Sequence, residues 1–575
     1  MMNLRIPGCH GTYKVLSDNT VELSWFCRDR SGWARMLALV KTIPRRVFDN
    51  ETRKWYAPVS EELLEALAQG GWRKAGNKDE AKESPVAKFG RLPVPKKYAE
   101  YATKPEEVPE VDPYERQKAL IASYTLDPTR DIINGLRPYQ VDFLKFAAIR
   151  NGKVALGDDM GTGKTLQSLA WLVYNRSFPA LIVVNAPTKL QWEKEYKRWI
   201  GSVPGVTPRV QILYGTKTRM LDRSCSYIVN WDILTHWVRE LSAVGFECII
   251  GDEAQAIGNP DSKRAVAFRQ LAAVIPECIV MSGTPARSKP AQFWTMVSCV
   301  EPQMFPSYRA FLWRYTNVKD TPWGVQFDGA RNVRELHAKL VDVMLRRTKS
   351  DVMKELPPKT LDVVPLEADA AQLAEYENEE GQIANLQGVE ARERLANLTR
   401  TAYLVKEKAL LNWVKCFLES DEKLLLFAWH RDVVDALYDS LREFHPAKIY
   451  GGVSLKQRED EKERFISDES CRVMVCNIQS GGTGVDGFQK VCCNVAFAEF
   501  AATSTDMEQA EDRLHRGGQE RPVNVYYLIA QGTIDEDMAE ALDEKKRVLA
   551  SVLDGKEAKD LDLIATIAAR RGLRI

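Results

Sequence analysis

"GDDMGTGKT", residues 157–165, is the stretch on which the reading of the whole chain turns. It follows the apolar run "KVAL" (153–156) and leads into "TLQSLAWLV", where Leu166, Leu169, Ala170 and Val173 recur on one helical face. A strand that ends in a glycine-rich turn and opens a helix is the setting of a phosphate-binding loop. Gly161 and Gly163 let backbone amides approach phosphate oxygens with no Cβ in the way, and the helix N-terminus adds partial positive charge. Lys164 is expected to reach the β- and γ-phosphates of ATP, and Thr165 to hold Mg2+. The pattern G-x-x-x-x-G-K-[ST] fails only at its first position, where Asp158 stands in place of glycine.

Outward from this loop, short apolar runs alternate with longer helical patterns. "ALIVV" (180–184), "SYIV" (226–229), "CII" (248–250) and "CIVM" (278–281) are candidate buried strands. The alternation pauses from about 290 to 420, where charged helical segments dominate. It resumes with "KLLLFAWH" (423–430), "RVMVCN" (472–477), "VCCNVAFAE" (491–499) and "VNVYYLIA" (523–530). This is the pattern of parallel sheets covered by helices on both sides, in two α/β lobes around a helical insertion. The expected divisions are a small module at 1–92, a proline- and charge-rich linker at 93–130, a first lobe at 131–350, a helical insertion at 351–420 and a second lobe at 421–575.

A second chemical element lies in "CIIGDEAQ", which ends a strand with Asp252 and Glu253. An acidic pair at a strand C-terminus reaches the site above a parallel sheet. Asp252 is expected to hold Mg2+ through its water shell, and Glu253 to orient and deprotonate an attacking water.

The composition sets bounds on function. The chain has 575 residues, 45% hydrophobic and 28% charged, as in ordinary globular proteins of several domains. No apolar run reaches the ~18 residues that span a bilayer, and the N-terminus lacks a signal-peptide core. Eleven cysteines without C-x-x-C pairs point to reduced, packed thiols. The net charge of +1 does not announce nucleic acid. Between Arg28 and Lys54, however, eight Lys/Arg face three acids, with Trp33 among them and Trp25, Phe26, Trp55 and Tyr56 at the two flanks. Such a module can pair phosphates and stack bases, or it can be a β-rich domain with an aromatic core.

Taken in order, "LRPYQ" (136–140), "DDMGTGKT", "APTKLQWEKE" (186–195), "DEAQ", "MSGTPA" (281–286), "LRRTKSDV" (345–352), "QSGGTGVDGF" (479–488) and "QAEDRLHRGGQ" (509–519) resemble the superfamily-two SWI/SNF-like DNA translocases. Within that branch, "SGTPARSKPAQFW", "FAWHRDVVDAL" and the segment around "QAEDRLHRGGQ" are similar to the HARP-type annealing helicases, and "FDNETRKWYAPVS" (48–60) looks like the core of a HARP module.

The resemblance implies two RecA-like lobes closing on ATP, duplex and forked or branched DNA as partner, and DNA-stimulated ATP hydrolysis. Asp159, Gly161, Thr162, Gly163, Lys164 and Thr165 match its nucleotide loop, and Gln140 its adenine-reading glutamine. Arg513 and Arg516 match its arginine fingers, whose planar charge spreads over phosphoryl oxygens. Ser282 and Thr284 match its relay between nucleotide and DNA. Segments 187–189, 230–232, 429–431 and 480–484 match its DNA-backbone contacts.

Departures from the pattern are Gln255 where histidine is common, Ala502-Thr503-Ser504 where Trp-Asn-Pro is frequent, and Asp486 where Asn or Thr is more usual. A strand-separating helicase and an ATP-gated DNA-binding subunit of a remodelling complex are the alternatives. The compact motor leads to the expectation of a cytoplasmic protein from a bacterial or viral source, or a nuclear one if eukaryotic.

Overall fold

The computed structural model describes residues 112–539 apart from 206, 284–289, 322–323, 329, 384–387, 482–486 and 502–503. Nearer the N-terminus it describes 9–15, 20–27, 36, 40, 43, 47–49, 54–60, 63–64, 66–67 and 72–74. The chain divides into two units: residues 1–106 with 307–332, and residues 107–306 with 333–575.

The larger unit holds two parallel sheets. In the first, the strands run in the order Met344–Leu345, Lys153–Leu156, Glu277–Met281, Cys248–Gly251, Ala180–Val184, Ser226–Asn230 and Val210–Ile212. Every pairing among them is parallel. The central strands Ala180–Val184 and Ser226–Asn230 are buried at every residue, as sheets covered on both faces require. The helix Lys164–Asn175 packs against the helices Pro138–Ile149 and Lys189–Ile200. It is buried at every position from Gln167 to Tyr174, so the single apolar face read from the sequence understates how enclosed it is.

The second sheet runs Lys359–Leu366, Val523–Ala530, Asn494–Phe497, Leu424–Ala428, Val473–Asn477 and Ala447–Ile449, again all parallel. Its strands alternate between two cores. Leu425, Phe427, Met474 and Val495 pack on one face, and Leu424, Leu426, Val473 and Ala496 on the other.

Two of the expected divisions shift. Residues 113–123 of the expected linker form a helix whose Gln117 Nε2 donates to Met344 O at 2.9 Å, so this segment packs on the first lobe. Strand Lys359–Leu366 and the 31-residue helix Gly388–Leu418 fall within the expected insertion, yet they complete the second lobe. Leu398 and Val405 enter one of its cores, and Leu410 and Val414 the other. Lys406, fully buried, pairs with Asp535 at 2.6 Å. The charge density of this stretch marks the outer face of the helix and conceals the inner one.

The smaller unit contains a sheet ordered Val47–Asp49, Lys54–Pro58, Thr20–Cys27, Cys9–Val15 and Arg73–Lys74. Val21, Leu23, Ala57 and Leu67 are in its core, with Trp25 and Trp55 packed against it from half-buried positions. The side chains of the basic residues between 28 and 54, and those of Phe26, Trp33 and Tyr56, lie outside the described residues. The helix Tyr308–Tyr315 and the hairpin Asn317–Thr321 with Gly324–Asp328 belong to the same unit.

Among the described residues no helix is long and apolar enough to cross a membrane. The nine cysteines from Cys225 to Cys493 are free thiols, all buried except Cys416.

Candidate nucleotide site between the two lobes

Gly161 and Gly163 both adopt φ +81°, a left-handed conformation that disfavours any side chain. A Cβ on Gly163 would lie 2.7 Å from Gln140 Nε2, and one on Gly161 would lie 2.8 Å from Arg516 Cβ. The loop is therefore pressed from behind by the first lobe and from in front by the second. Gly161, Gly163, Lys164, Thr165, Asp252, Glu253, Arg513 and Arg516 line one cavity of about 150 Å³. Residues more than 300 positions apart in sequence meet there.

The remaining expected loop residues stand behind that cavity. Thr162 is buried and donates its hydroxyl to Asp159 O at 2.9 Å, closing the turn. The Asp159 carboxylate accepts from the Lys349 amide at 3.0 Å and faces Arg346, so it ties the loop to residues 346–349. Gln140 is buried too: its Oε1 accepts from Arg137 N at 3.0 Å and its Nε2 donates to Thr162 O at 3.3 Å. With one bond at each end of its amide, Gln140 braces the loop, and one N–H and one oxygen lone pair are left over.

Lys164 Nζ donates to Asp158 O at 2.8 Å and Asp159 O at 3.0 Å. Desolvation low in the cleft pulls its pKa below the ordinary lysine value, while Glu253, Asp158, Asp252 and Asp159 pull the other way. Asp252 follows the strand Cys248–Gly251 and accepts Trp192 Nε1–H at 2.8 Å on Oδ2 and the Glu253 amide at 3.0 Å on Oδ1. Burial, with the Glu253 charge next in weight, pushes the Asp252 carboxyl up to about 7. A bound divalent cation would favour its ionised form.

Glu253 has φ +52°, a strained value for a non-glycine residue. Its Oε2 accepts from Gln255 Nε2 at 2.6 Å, and Gln255 Oε1 accepts from Ser282 Oγ at 2.6 Å. The glutamine that departs from the usual histidine thus holds the candidate base to Ser282 without carrying charge. Thr284 lies outside the described residues.

The cradle suits a magnesium–triphosphate: two Cβ-free positions, an ammonium, a hydroxyl and a carboxylate face one cavity. No cluster of three or more His, Cys, Asp or Glu that could hold a metal occurs among the described residues. An ion shared with phosphate oxygens and water needs none.

On the second-lobe side, the helix Ser504–Glu511 leads into the two arginines. Lys349 Nζ reaches Asp512 at 2.9 Å, and Lys359 Nζ reaches Glu511 at 2.8 Å. Burial would raise the Asp512 carboxyl, but Lys349 and Lys359 outweigh it and hold the group far below the usual carboxylate range. A chain of contacts therefore runs from the nucleotide loop through Lys349, whose amide bonds Asp159 and whose ammonium pairs with Asp512, to the segment bearing Arg513 and Arg516.

Residues 139–413 match the model of the SNF2-related domain, and residues 406–518 match the helicase conserved C-terminal domain. The chain carries an SNF2-related domain and a helicase C-terminal domain. It is 30% identical over 532 residues to the Xenopus tropicalis SWI/SNF-related matrix-associated actin-dependent regulator of chromatin subfamily A-like protein 1, covering 90% of this chain and 53% of that protein. It is 30% identical over 445 residues to human DNA annealing helicase and endonuclease ZRANB3, covering 74% of this chain and 41% of that protein. The chain thus spans about half the length of the curated relatives it matches. Among solved structures it is similar to a Sulfolobus solfataricus SWI2/SNF2 ATPase core in complex with dsDNA. The identity is 23%, with 78% of this chain and 98% of that chain covered, at a TM-score of 0.38.

The motif "LRRTKSDV" (345–352) assigns no role to its residues from sequence alone. Arg347 in fact fills the space under the nucleotide loop, where its guanidinium meets Asp158 at 2.5 Å and Gln167 Oε1 at 2.9 Å and donates to Tyr139 O. The signal was present: an aspartate in place of the first loop glycine needs a cation to be buried. Among the expected DNA-facing residues, Lys189 turns inward, donating to Asn230 Oδ1 at 3.1 Å and Leu213 O at 3.2 Å. Arg431 is exposed beside the Tyr450 ring. Residues 482–486 lie outside the described residues.

Proposed function

We propose that this chain is a DNA-dependent ATPase that translocates along duplex DNA and remodels or anneals forked and branched DNA. The observation that carries the reading is the cavity where Lys164, Thr165, Asp252 and Glu253 of the first lobe face Arg513 and Arg516 of the second. In this reading Lys164 binds the β- and γ-phosphates, and Thr165 and Asp252 hold Mg2+. The ion neutralises phosphate charge when bound.

Glu253, oriented by Gln255, accepts the proton of the attacking water. Arg513 and Arg516 balance charge on the transferring phosphoryl group, an effect worth about 10³–10⁵ in rate. Because those arginines belong to the other lobe, hydrolysis and product release alter the force holding the lobes together. Lobe movement along DNA is driven by that change.

The choice of forked or branched DNA is supported by the SNF2-related domain and by the antiparallel strands Val47–Asp49 and Lys54–Pro58, which overlap the HARP-like stretch. The relative named a DNA annealing helicase points the same way. The test is ATP turnover measured with no DNA, single strand, blunt duplex, model fork and four-way junction, with Lys164→Ala as the inactive control. Stimulation by duplex and more strongly by fork or junction is expected. Turnover indifferent to all DNA would refute the proposal.

A further inference from the structure

Two tryptophans converge on Asp252 from different segments. Trp192, on the helix Lys189–Ile200, donates Nε1–H to Asp252 Oδ2 at 2.8 Å. Trp231, directly after the strand Ser226–Asn230, donates Nε1–H to the backbone carbonyl of the same residue at 2.9 Å. Both indoles are buried, 2% and 1% exposed. The Trp231 ring also lies against Gly251, where an added Cβ would meet it at 3.1 Å and Phe268 at 2.8 Å. Asp252 has therefore little freedom: side chain, main chain and the residue before it are each held by one of these aromatic neighbours.

An indole N–H has one donor and no acceptor role, so each of these bonds reports the position of a single ring. The segments that carry the rings are those whose outer ends bear "PTK" (187–189) and "NWD" (230–232), the stretches matched above to DNA-backbone contact. Lys189 joins them, with its Nζ at 3.1 Å from Asn230 Oδ1. A shift of either segment on binding a phosphate backbone moves an indole, and the indole moves Asp252.

We propose that Trp192 is a positioning residue for the magnesium-binding carboxylate and that Trp192 and Trp231 together transmit DNA contact to the metal site. The inference rests on the function proposed above for Asp252 and for the two segments. Trp192, together with the Glu253 amide on Oδ1, fixes how the Asp252 carboxylate is turned towards the ion's water shell, and Trp231 fixes the height of that residue above the sheet. Groups that orient metal ligands in this way change metal affinity by about 10–100-fold when removed.

The experiment uses the full chain with Trp192→Phe and Trp231→Phe, which keep an aromatic ring and delete the N–H. Trp237→Phe is the control: it deletes an indole bond of 2.9 Å in the same lobe whose acceptor is Gly215 O and not the acidic pair. Equilibrium binding of a non-hydrolysable ATP analogue is measured in EDTA and in Mg2+, each with and without blunt duplex DNA.

The expected result is that Trp192→Phe binds the analogue in EDTA as wild type does but loses about tenfold of the Mg2+-dependent tightening. Trp231→Phe is expected to lose the response of that tightening to duplex, and Trp237→Phe to behave as wild type. Wild-type Mg2+-dependent tightening in Trp192→Phe would overturn the positioning role. A Trp231→Phe variant that kept a full DNA response would overturn the transmission. If wild type itself showed no DNA response, the DNA-dependent function would fall and transmission with it, while the DNA-free Mg2+ comparison would still decide the role of Trp192.

Discussion

Arg347 and Asp158 form a buried ion pair, Nη2 to Oδ2 at 2.5 Å, with their side chains 8% and 0% exposed. Arg347 Nε adds a second bond to Asp158 Oδ1 at 3.1 Å, and the Asp159 amide donates to Arg347 O at 3.0 Å. The pair joins the nucleotide loop to the segment that leaves the first lobe. It also explains why this loop carries an aspartate where glycine is usual.

Restoring the usual glycine is therefore expected to harm the protein. Asp158→Gly strands a buried guanidinium, a change that costs about 3–5 kcal/mol when one partner of a buried pair is lost. Denaturant unfolding should show that loss, and Asp158→Gly combined with Arg347→Met should recover a large part of it. A single variant as stable as wild type would show that the pair contributes little.

Gln255 makes a charge-sensitive contact with Glu253 at 2.6 Å. Gln255→Glu places a second carboxylate there, and like charges at that separation favour protonation of one of them. The expected outcome is ATP turnover reduced by about 10²–10⁴-fold near neutral pH, the range attributed to a general base, with nucleotide binding retained. Stopped-flow phosphate release and analogue titration measure the two quantities separately. Gln255→His, which can donate without adding negative charge, should keep much of the turnover.

His430 and Glu499 meet at 2.7 Å, and Glu499 Oε2 also accepts the amides of Trp429 and His430 at 2.8 Å each. The hydrogen bond to Glu499 raises the His430 pKa above its ordinary value, burial acting against it; Asp432 adds to the rise and Arg400 subtracts from it. A folded value above the unfolded value of about 6.5 means that the stabilisation is complete below pH 6.5 and fades as pH climbs through the raised value. Wild type should therefore exceed His430→Gln in stability by more at about pH 5.5 than at about pH 8.5. Equal gaps at both pH values in urea melts would contradict the assignment.

Much of this fold was readable from apolar runs. "KVAL", "ALIVV" and "VNVYYLIA" are strands with the limits their hydrophobicity set, because central parallel strands are buried on both faces and need uninterrupted apolar residues. Edge strands lack that signature. Lys359–Leu366 has Leu361 and Val363 about half exposed and reads as charged and irregular, so the second lobe was expected to begin too late.

The site followed the same division. Glycines, Lys164 and the acidic pair have a chemistry that their spacing announces. Partners such as Trp192, Arg347 and Lys349 act through geometry across 60 to 190 positions, which no local pattern encodes. Gln140 shows a second side of this: its place in the pattern pointed to an adenine, and its bonds to Arg137 and Thr162, which brace the loop, carried no local signal.

The central claim is that arginines late in the chain complete a triphosphate site begun at Lys164. Its most direct test is single-turnover ATP hydrolysis by Arg513→Ala and Arg516→Ala in the presence of duplex DNA, with analogue binding measured in parallel. The account predicts hydrolysis slowed by about 10³-fold or more in each variant while the analogue still binds. Hydrolysis at the wild-type rate with both arginines replaced would contradict it.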